Sequence, residues 1–171
     1  MLNAKEILEE GLIVLDKSHG APAQVGYDLS VKSISKLTGG GQVLVNKTIV
    51  NRLTRVPITK KWNGFHDGWL LEPGTYDVTM HEGCNIPANR TAMVRQRSSL
   101  LRNGAIIASS IFDPGFHTKN IGTVMIVNER IFIEKNARVG QMYFHENNEG
   151  DLYDGQFQND KQRGKNATPR R

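Results

Sequence analysis

Residues 72–80 read Glu72-Pro73-Gly74-Thr75-Tyr76-Asp77-Val78-Thr79-Met80. Tyr76, Val78 and Met80 take every second position with polar Asp77 and Thr79 between them, the spacing of a half-buried strand. Pro followed by Gly ahead of them suits a type II turn. The same period recurs on both sides. Val43 and Val45 alternate upstream, Ala92 and Val94 downstream, and further apolar runs cover 105–112, 123–127, 131–133 and 139–144. Short strands separated by turn residues predict an all-β sandwich or barrel.

Two helical segments interrupt this pattern. Asn3 can cap a helix, with Glu6 three residues on as its capping-box partner, Leu2 and Ile7 in the two staple positions and Gly11 as the stop. The run Ser98-Ser99-Leu100-Leu101-Arg102-Asn103-Gly104 reads as one or two helical turns, capped by serine and ended by glycine. After His145 the chain turns polar, with isolated aromatics at Tyr153 and Phe157. This divides it into a β domain over 1–150 and a flexible C-terminal arm over 151–171.

The chain has 171 residues, enough for one domain with its own core. Lys and Arg number 22 against 17 Asp and Glu, a formal charge of +5. Residues 160–171 hold Lys161, Arg163, Lys165, Arg170 and Arg171 against Asp160, leaving 17 basic and 16 acidic groups elsewhere. A nearly neutral body without a base-stacking aromatic array argues against nucleic-acid binding. Cys84 stands alone, which excludes an internal disulfide and a Cys-x-x-Cys metal site. The opening MLNAKEILEEG lacks the apolar run of a signal peptide, and no window approaches the roughly 18 apolar residues of a membrane span. A cytoplasmic protein without membrane association is the expectation.

Several catalytic devices are missing. There is no phosphate-binding Gly-x-x-x-x-Gly-Lys loop and no Gly-x-Ser-x-Gly elbow, and His81-Glu82 has no second histidine at zincin spacing. One cysteine cannot supply the zinc-deaminase signature. Three clusters remain. Gly26-Tyr27-Asp28-Leu29 puts a carboxylate beside a glycine at a strand edge, which an ordinary turn would also explain. Arg97-Ser98-Ser99-Leu100 combines an arginine, two hydroxyls and a helix start, the elements of an anion site or of a plain serine cap. Asp113-Pro114-Gly115-Phe116 puts a carboxylate at a tight turn, where an Asx turn is the simpler account.

Taken in order, these clusters resemble the superfamily of trimeric dUTPases and metal-independent dCTP deaminases. Gln24 to Leu29 looks like the start of the deaminase branch. Trp69 to Tyr76, Ile86-Pro87-Ala88-Asn89 and Arg97 to Gly104 follow the shared core. Asp113 to Phe116 looks like the third motif, and Arg138-Val139-Gly140-Gln141-Met142 like the fourth. The resemblance implies a distorted β jelly roll with one short N-terminal and one short internal helix. It also implies a homotrimer with active sites between subunits, Mg²⁺ as cofactor and a deoxynucleoside triphosphate as substrate.

Motif by motif, the resemblance makes Asp113 the group that orients and deprotonates the attacking water. Arg97, Ser98 and Gln141 would hold the phosphates, with Ser99 and Arg102 in the same substrate-binding segment. Asp28 would lie near the magnesium, through water, and Phe116 would stack on the deoxyribose. In the arm, Phe157 or Gln162 would cover the base while Lys161, Arg163 or Lys165 meets the γ-phosphate. The alternative for the arm is a solvated end.

The superfamily runs hydrolysis and deamination in one pocket. The deaminase branch uses a glutamate three residues before an asparagine on the strand after the third motif. Counted from Asn128 that position is Met125, and no Asp or Glu occurs between Asp113 and Glu129. Arg102, which looks like a deaminase-branch arginine, is then left with a structural role as its alternative. The expected activity is therefore dUTP diphosphatase, with dCTP deamination, hydrolysis of dCTP or a modified pyrimidine nucleotide, and a catalytically silent nucleotide-binding regulator as alternatives. Three features depart from the dUTPase pattern. Phe116 stands where dUTPases have tyrosine, Asn128 arrives about two residues late so that the base-reading hairpin is longer, and the Gly-rich fifth motif is replaced by a deaminase-type tail.

Overall fold

The first helix forms for local reasons. The computed structural model describes residues 1–38, 54–57, 61–63, 66–148 and 151–154. In it, Asn3 accepts from the backbone N–H groups of Lys5 and Glu6 while the Glu6 carboxylate accepts from Asn3 N, closing the expected capping box on α1 (Ala4–Glu9). Leu2 and Ile7 are both buried, and Gly11 ends the helix at φ 65°. Leu2 N donates to Phe144 O, and Leu2 O accepts from Gly26 N, which fixes this end to the sheet.

Strands dominate the chain beyond α1. They are β1 (Ile13–Val14), β2 (Ala21–Pro22), β3 (Tyr27–Thr38), β4 (Thr54–Pro57), β5 (Lys61–Asn63), β6 (His66–Leu71), β7 (Gly74–Met80), β8 (Gly83–Asn85) and β9 (Arg90–Gln96). After α2 (Ser98–Arg102) come β10 (Ala105–Ala108), β11 (His117–Thr118), β12 (Gly122–Val127), β13 (Ile131–Glu134) and β14 (Arg138–Glu146). Among the described residues they form an eight-stranded sheet, β10-β12-β7-β3-β14-β9 with β2 and β4 also on β3, and two three-stranded sheets, β1-β8-β11 and β13-β6-β5. Every pairing is antiparallel. Phe112 bridges Ala92 of β9, so the chain leaving edge strand β10 reaches the opposite edge and nearly closes the sheet. This is the expected all-β, jelly-roll-like fold with two short helices.

The alternation read from the sequence faces the core. Tyr76, Val78 and Met80 are buried, as are Ala92 and Val94 on β9 and Met142 and Phe144 on β14. Trp69, Tyr76 and Phe144 are among the largest fully buried side chains. Each contributes on the order of 3 kcal/mol by leaving water. Glu72-Pro73 is not a hairpin turn, because β6 pairs with β5 and β13 while β7 pairs with β3 and β12. It carries the chain from one sheet to another, and Gly74 sits at φ 158° rather than near the +80° of a type II turn. The run at 105–112 is a strand only to Ala108. Val43 and Val45 lie outside the described residues, as do Phe157, Lys161, Gln162 and Arg163. Among the described residues no helix is long and apolar enough to cross a membrane.

Candidate active site

The site is built from neighbouring strands. Gln141 on β14 is paired in register with Asp28 on β3 and with Arg95 on β9. Directly paired residues project from the same face of a sheet. Asp28 and Gln141 therefore share that face, and Arg97, two residues past Arg95, joins them from the end of β9. The ladder of β14 against β3 slips between Arg138 and Gly140. Such a bulge re-aims side chains. Gly140 and Val139 are both buried, whereas the Arg138 side chain is 42% exposed and reaches Asp28.

Two guanidinium groups meet at one carboxylate oxygen. Arg97 Nε lies 3.2 Å and Arg138 Nη1 3.5 Å from Asp28 Oδ2. The Asp28 side chain is only 8% exposed. Burial pushes its carboxyl above the ordinary 3.8, against the opposing pull of Arg97 and then Arg138. The arginines thus offset only part of the cost of burying it. Gln141 Nε2 donates to Val25 O, and Tyr143 Oη donates to Gln141 Oε1 at 2.7 Å, which fixes the amide orientation.

The backbone beside Asp28 leaves no room for change. Gly26 has φ 78°, and a Cβ there would stand 2.3 Å from Met142 O. Below the same strand, Glu82 is fully buried and accepts from Ser18 Oγ (2.6 Å), Gly20 N (2.9 Å), Ser30 N (2.7 Å) and Ser30 Oγ (2.6 Å). It ties residues 18–20 to β3 two residues from Asp28. Sequence reasoning gives neither Glu82 nor Arg138 a role in the site. A carboxylate two residues after the buried Met80 end of β7 is the one sign of the first; the bulge that exposes the second leaves no mark in the sequence.

Ser98 and Ser99 are exposed at the start of α2, but neither caps it. The N-cap is Arg97, which makes no side-chain capping bond because a guanidinium has no acceptor for helix N–H groups; its side chain is turned to Asp28. Arg102 is exposed at the far end of α2. A cavity of about 380 Å³ opens beside this region, with Ser99 and Arg138 at its rim and Leu100, Ile133 and Val139 among its apolar lining.

Asp113 is elsewhere. Phe112 bridges Ala92, which precedes Arg97 by five residues on β9. At about 3.3 Å per residue, Phe112, the residue before Asp113, stands roughly 16 Å along the strand from Arg97. Asp113 is exposed on a turn held by Gly115 N donating to Ile86 O and Ile86 N donating to Phe116 O. Phe116 is half-buried between Phe112 and Tyr153, with ring centroids 5.5 and 5.4 Å away. Tyr153 N donates to Pro114 O at 2.7 Å, so the root of the arm docks on this turn. Met125 is fully buried on β12, paired with Tyr76 and Ile107.

The model of the dCTP deaminase-like family matches residues 3–147. The chain belongs to this family. Among curated relatives, a probable deoxyuridine 5'-triphosphate nucleotidohydrolase of Methanosarcina mazei is 34% identical over 141 residues, 79% of each chain. One of the same description from Halobacterium salinarum is 31% identical over 137 residues, covering 80% of this chain and 82% of the relative. Among solved structures, a 2'-deoxycytidine 5'-triphosphate deaminase from Agrobacterium tumefaciens superposes with a TM-score of 0.57 at 19% identity. The match covers 84% of this chain and 46% of that one, and it supports the family fold. The β core, the four ordered motifs and the family membership agree.

Proposed function

We propose that the chain is a dUTP diphosphatase, converting dUTP and water to dUMP, pyrophosphate and a proton. The observation that carries this reading is Met125. Where the deaminase branch places its water-activating glutamate, the chain has a thioether buried between Tyr76 and Ile107, and no carboxylate lies between Asp113 and Glu129. The curated descriptions of the archaeal relatives support the same choice.

The division of labour follows from residue chemistry. Arg97, Ser98 and Gln141 hold the triphosphate, with Ser99 and Arg102 nearby on α2. The Asp113 carboxylate accepts the proton of a water aimed at the α-phosphorus, the α-phosphorus–oxygen bond to the β-phosphate breaks, and pyrophosphate leaves. Phe116 packs against the deoxyribose and crowds out a 2′-hydroxyl. Phe157, Lys161, Gln162 and Arg163 would close over base and phosphates from the arm. Within one copy about 16 Å of strand separates Arg97 from the Phe112 bridge beside Asp113, which supports a site that draws the two residues from different copies. The resemblance to the trimeric dUTPases makes that assembly a homotrimer with active sites between subunits.

Asp28 does not fit as a direct ligand for Mg²⁺. It presents one buried carboxylate whose Oδ2 already faces two guanidinium groups, and among the described residues no three His, Cys, Asp or Glu side chains converge on a metal position. Mg²⁺ is accordingly assigned to the substrate, as the companion of the triphosphate oxygens, and no step runs through a protein-held metal.

A second reading concerns the base. Residues 117–121 are pinned rather than free, with β11 on β8 and the Asn120 amide donating to Met80 O and His81 O. The run from Phe116 to Asn128, longer than the family's base-reading hairpin, keeps hydrolysis of dCTP or a modified pyrimidine nucleotide as the alternative. The purified chain should be incubated with Mg²⁺ and each deoxynucleoside triphosphate, and the products separated by chromatography. dUMP and pyrophosphate are the expected products. dUTP formed from dCTP would overturn the reading, dCMP would move it to the second, and binding without turnover would favour a silent regulator.

A further inference from the structure

We infer that Tyr153 sets sugar selectivity: its ring backs Phe116 and makes the wall that meets the deoxyribose too stiff to admit a 2′-hydroxyl. The inference deepens the hydrolase reading and rests on it for the nucleotide, while the contact itself belongs to the chain. Phe116 ends the Asp113 turn and is half-buried. Its ring centroid is 5.5 Å from that of Phe112 and 5.4 Å from that of Tyr153, both within the range of favourable aromatic pairs. The Tyr153 ring meets it edge to face, at 77°. Phe116 is thus buttressed twice, by the strand-bridging Phe112 and by a residue far along the chain.

Tyr153 is built into the turn rather than resting on it. Its backbone N donates to Pro114 O at 2.7 Å, one residue from Asp113. Gly115 has φ 84°, and a Cβ there would stand 3.0 Å from Leu152 Cβ and 3.2 Å from Tyr153 N, so the two segments approach as closely as glycine permits. Within residues 151–154 Tyr153 is half-buried while Asp151, Leu152 and Asp154 are exposed. The one side chain covered there is the one that meets Phe116. Rejecting a hydroxyl by crowding works only against a wall that does not yield. A ring held on one side can tilt away from an extra oxygen; a ring held on both must break a contact to do so. Tyr153 is therefore a positioning residue, which touches Phe116 and not the reacting atoms.

The test compares kcat/KM for dUTP with that for UTP, using the full chain and Mg²⁺. Tyr153→Ala should lower the preference for dUTP about 3- to 10-fold, the share of one aromatic pair, and Tyr153→Phe, which keeps the ring, should retain most of it. Phe116→Ala removes the wall, so adding Tyr153→Ala to it should change the preference no further. A merely structural role would lower stability and the turnover of both nucleotides together and leave their ratio alone. An unaltered ratio in Tyr153→Ala, or a further drop of the same size in the Phe116→Ala background, would overturn the inference. Thermal unfolding identifies a folding defect, in which case Tyr153→Leu, which keeps bulk without a ring, carries the comparison. Failure of the hydrolase reading shows separately, as absence of dUTP turnover by the unchanged protein. The preference is then read from calorimetric affinities for dUTP and UTP, and equal affinities in the unchanged protein, or a preference retained in Tyr153→Ala, would sink the assignment.

Discussion

The Asp28 cluster and the Asp113 turn are the two chemically loaded regions of this chain, and they are built in opposite ways. The first lies across three adjacent strands, where register sets each position and Asp28 is almost wholly covered. The second is an exposed carboxylate on a short turn, steadied by backbone bonds to Ile86 and by the Phe112, Phe116 and Tyr153 rings. Groups that grip a polyanion gain from being set in advance, because little ordering remains to oppose binding. A group that handles one water needs its final placement only once substrate has arrived. Under the proposed hydrolysis, the difference would assign recognition to the ladder and reaction to its edge.

The strongest way to break this division is to separate the two regions genetically. Asp113→Asn is predicted to lower kcat by about 10²- to 10⁴-fold with little change in KM, the loss expected for a general base. Arg97→Ala should raise KM by roughly 10- to 100-fold. Co-expressed as hybrids, the two variants should regain turnover, because a site drawing Asp113 from one copy and Arg97 from another is intact. Hybrids as inactive as their parents would show that a single copy carries the whole site.

How far these regions can be read from sequence depends on the range of the interactions that make them. The α1 cap is legible because Asn3 and Glu6 act over three residues. The core faces of β7, β9 and β14 are legible because period 2 is written along each strand. Asp28 and Arg138 are 110 residues apart, and their contact depends on a register shift set by β3. Nothing local to Arg138 announces that shift. Serine capping of α2 fails because the helix begins one residue early, so that Arg97, which has no side-chain acceptor, takes the cap position and faces Asp28 on another strand. Asp113 is identified by motif, but its distance from Arg97 is a property of the sheet.

A stability comparison sharpens the contrast further. Gly26 and Gly115 both have left-handed backbone, at φ 78° and 84°. A Cβ on Gly26 would collide with Met142 O in the middle of the ladder, whereas one on Gly115 would meet Leu152 Cβ at 3.0 Å. Gly26→Ala is therefore predicted to cost about 3 kcal/mol or more, and Gly115→Ala about 1–2 kcal/mol, close to the backbone term alone. Urea unfolding of both variants measures the difference. Equal losses would mean that the turn is as tightly built as the ladder.

The smallest expected effect concerns acid. Desolvation raises the Asp28 pKa above 3.8, so the folded chain binds this proton more tightly than the unfolded chain does. The resulting increment of stability is fully present below the unfolded value and is lost as pH rises through the folded one. The stability of the unchanged protein relative to Asp28→Asn should therefore fall as pH rises across this acid window and then level off. Unfolding free energies of the two proteins in a series of acidic buffers provide the check. A relative stability that instead rose with pH would mean that Arg97 and Arg138 more than repay the burial of the carboxylate. The cluster would then be a net stabilising ion-pair network, rather than a strained cation pair held ready for an anion.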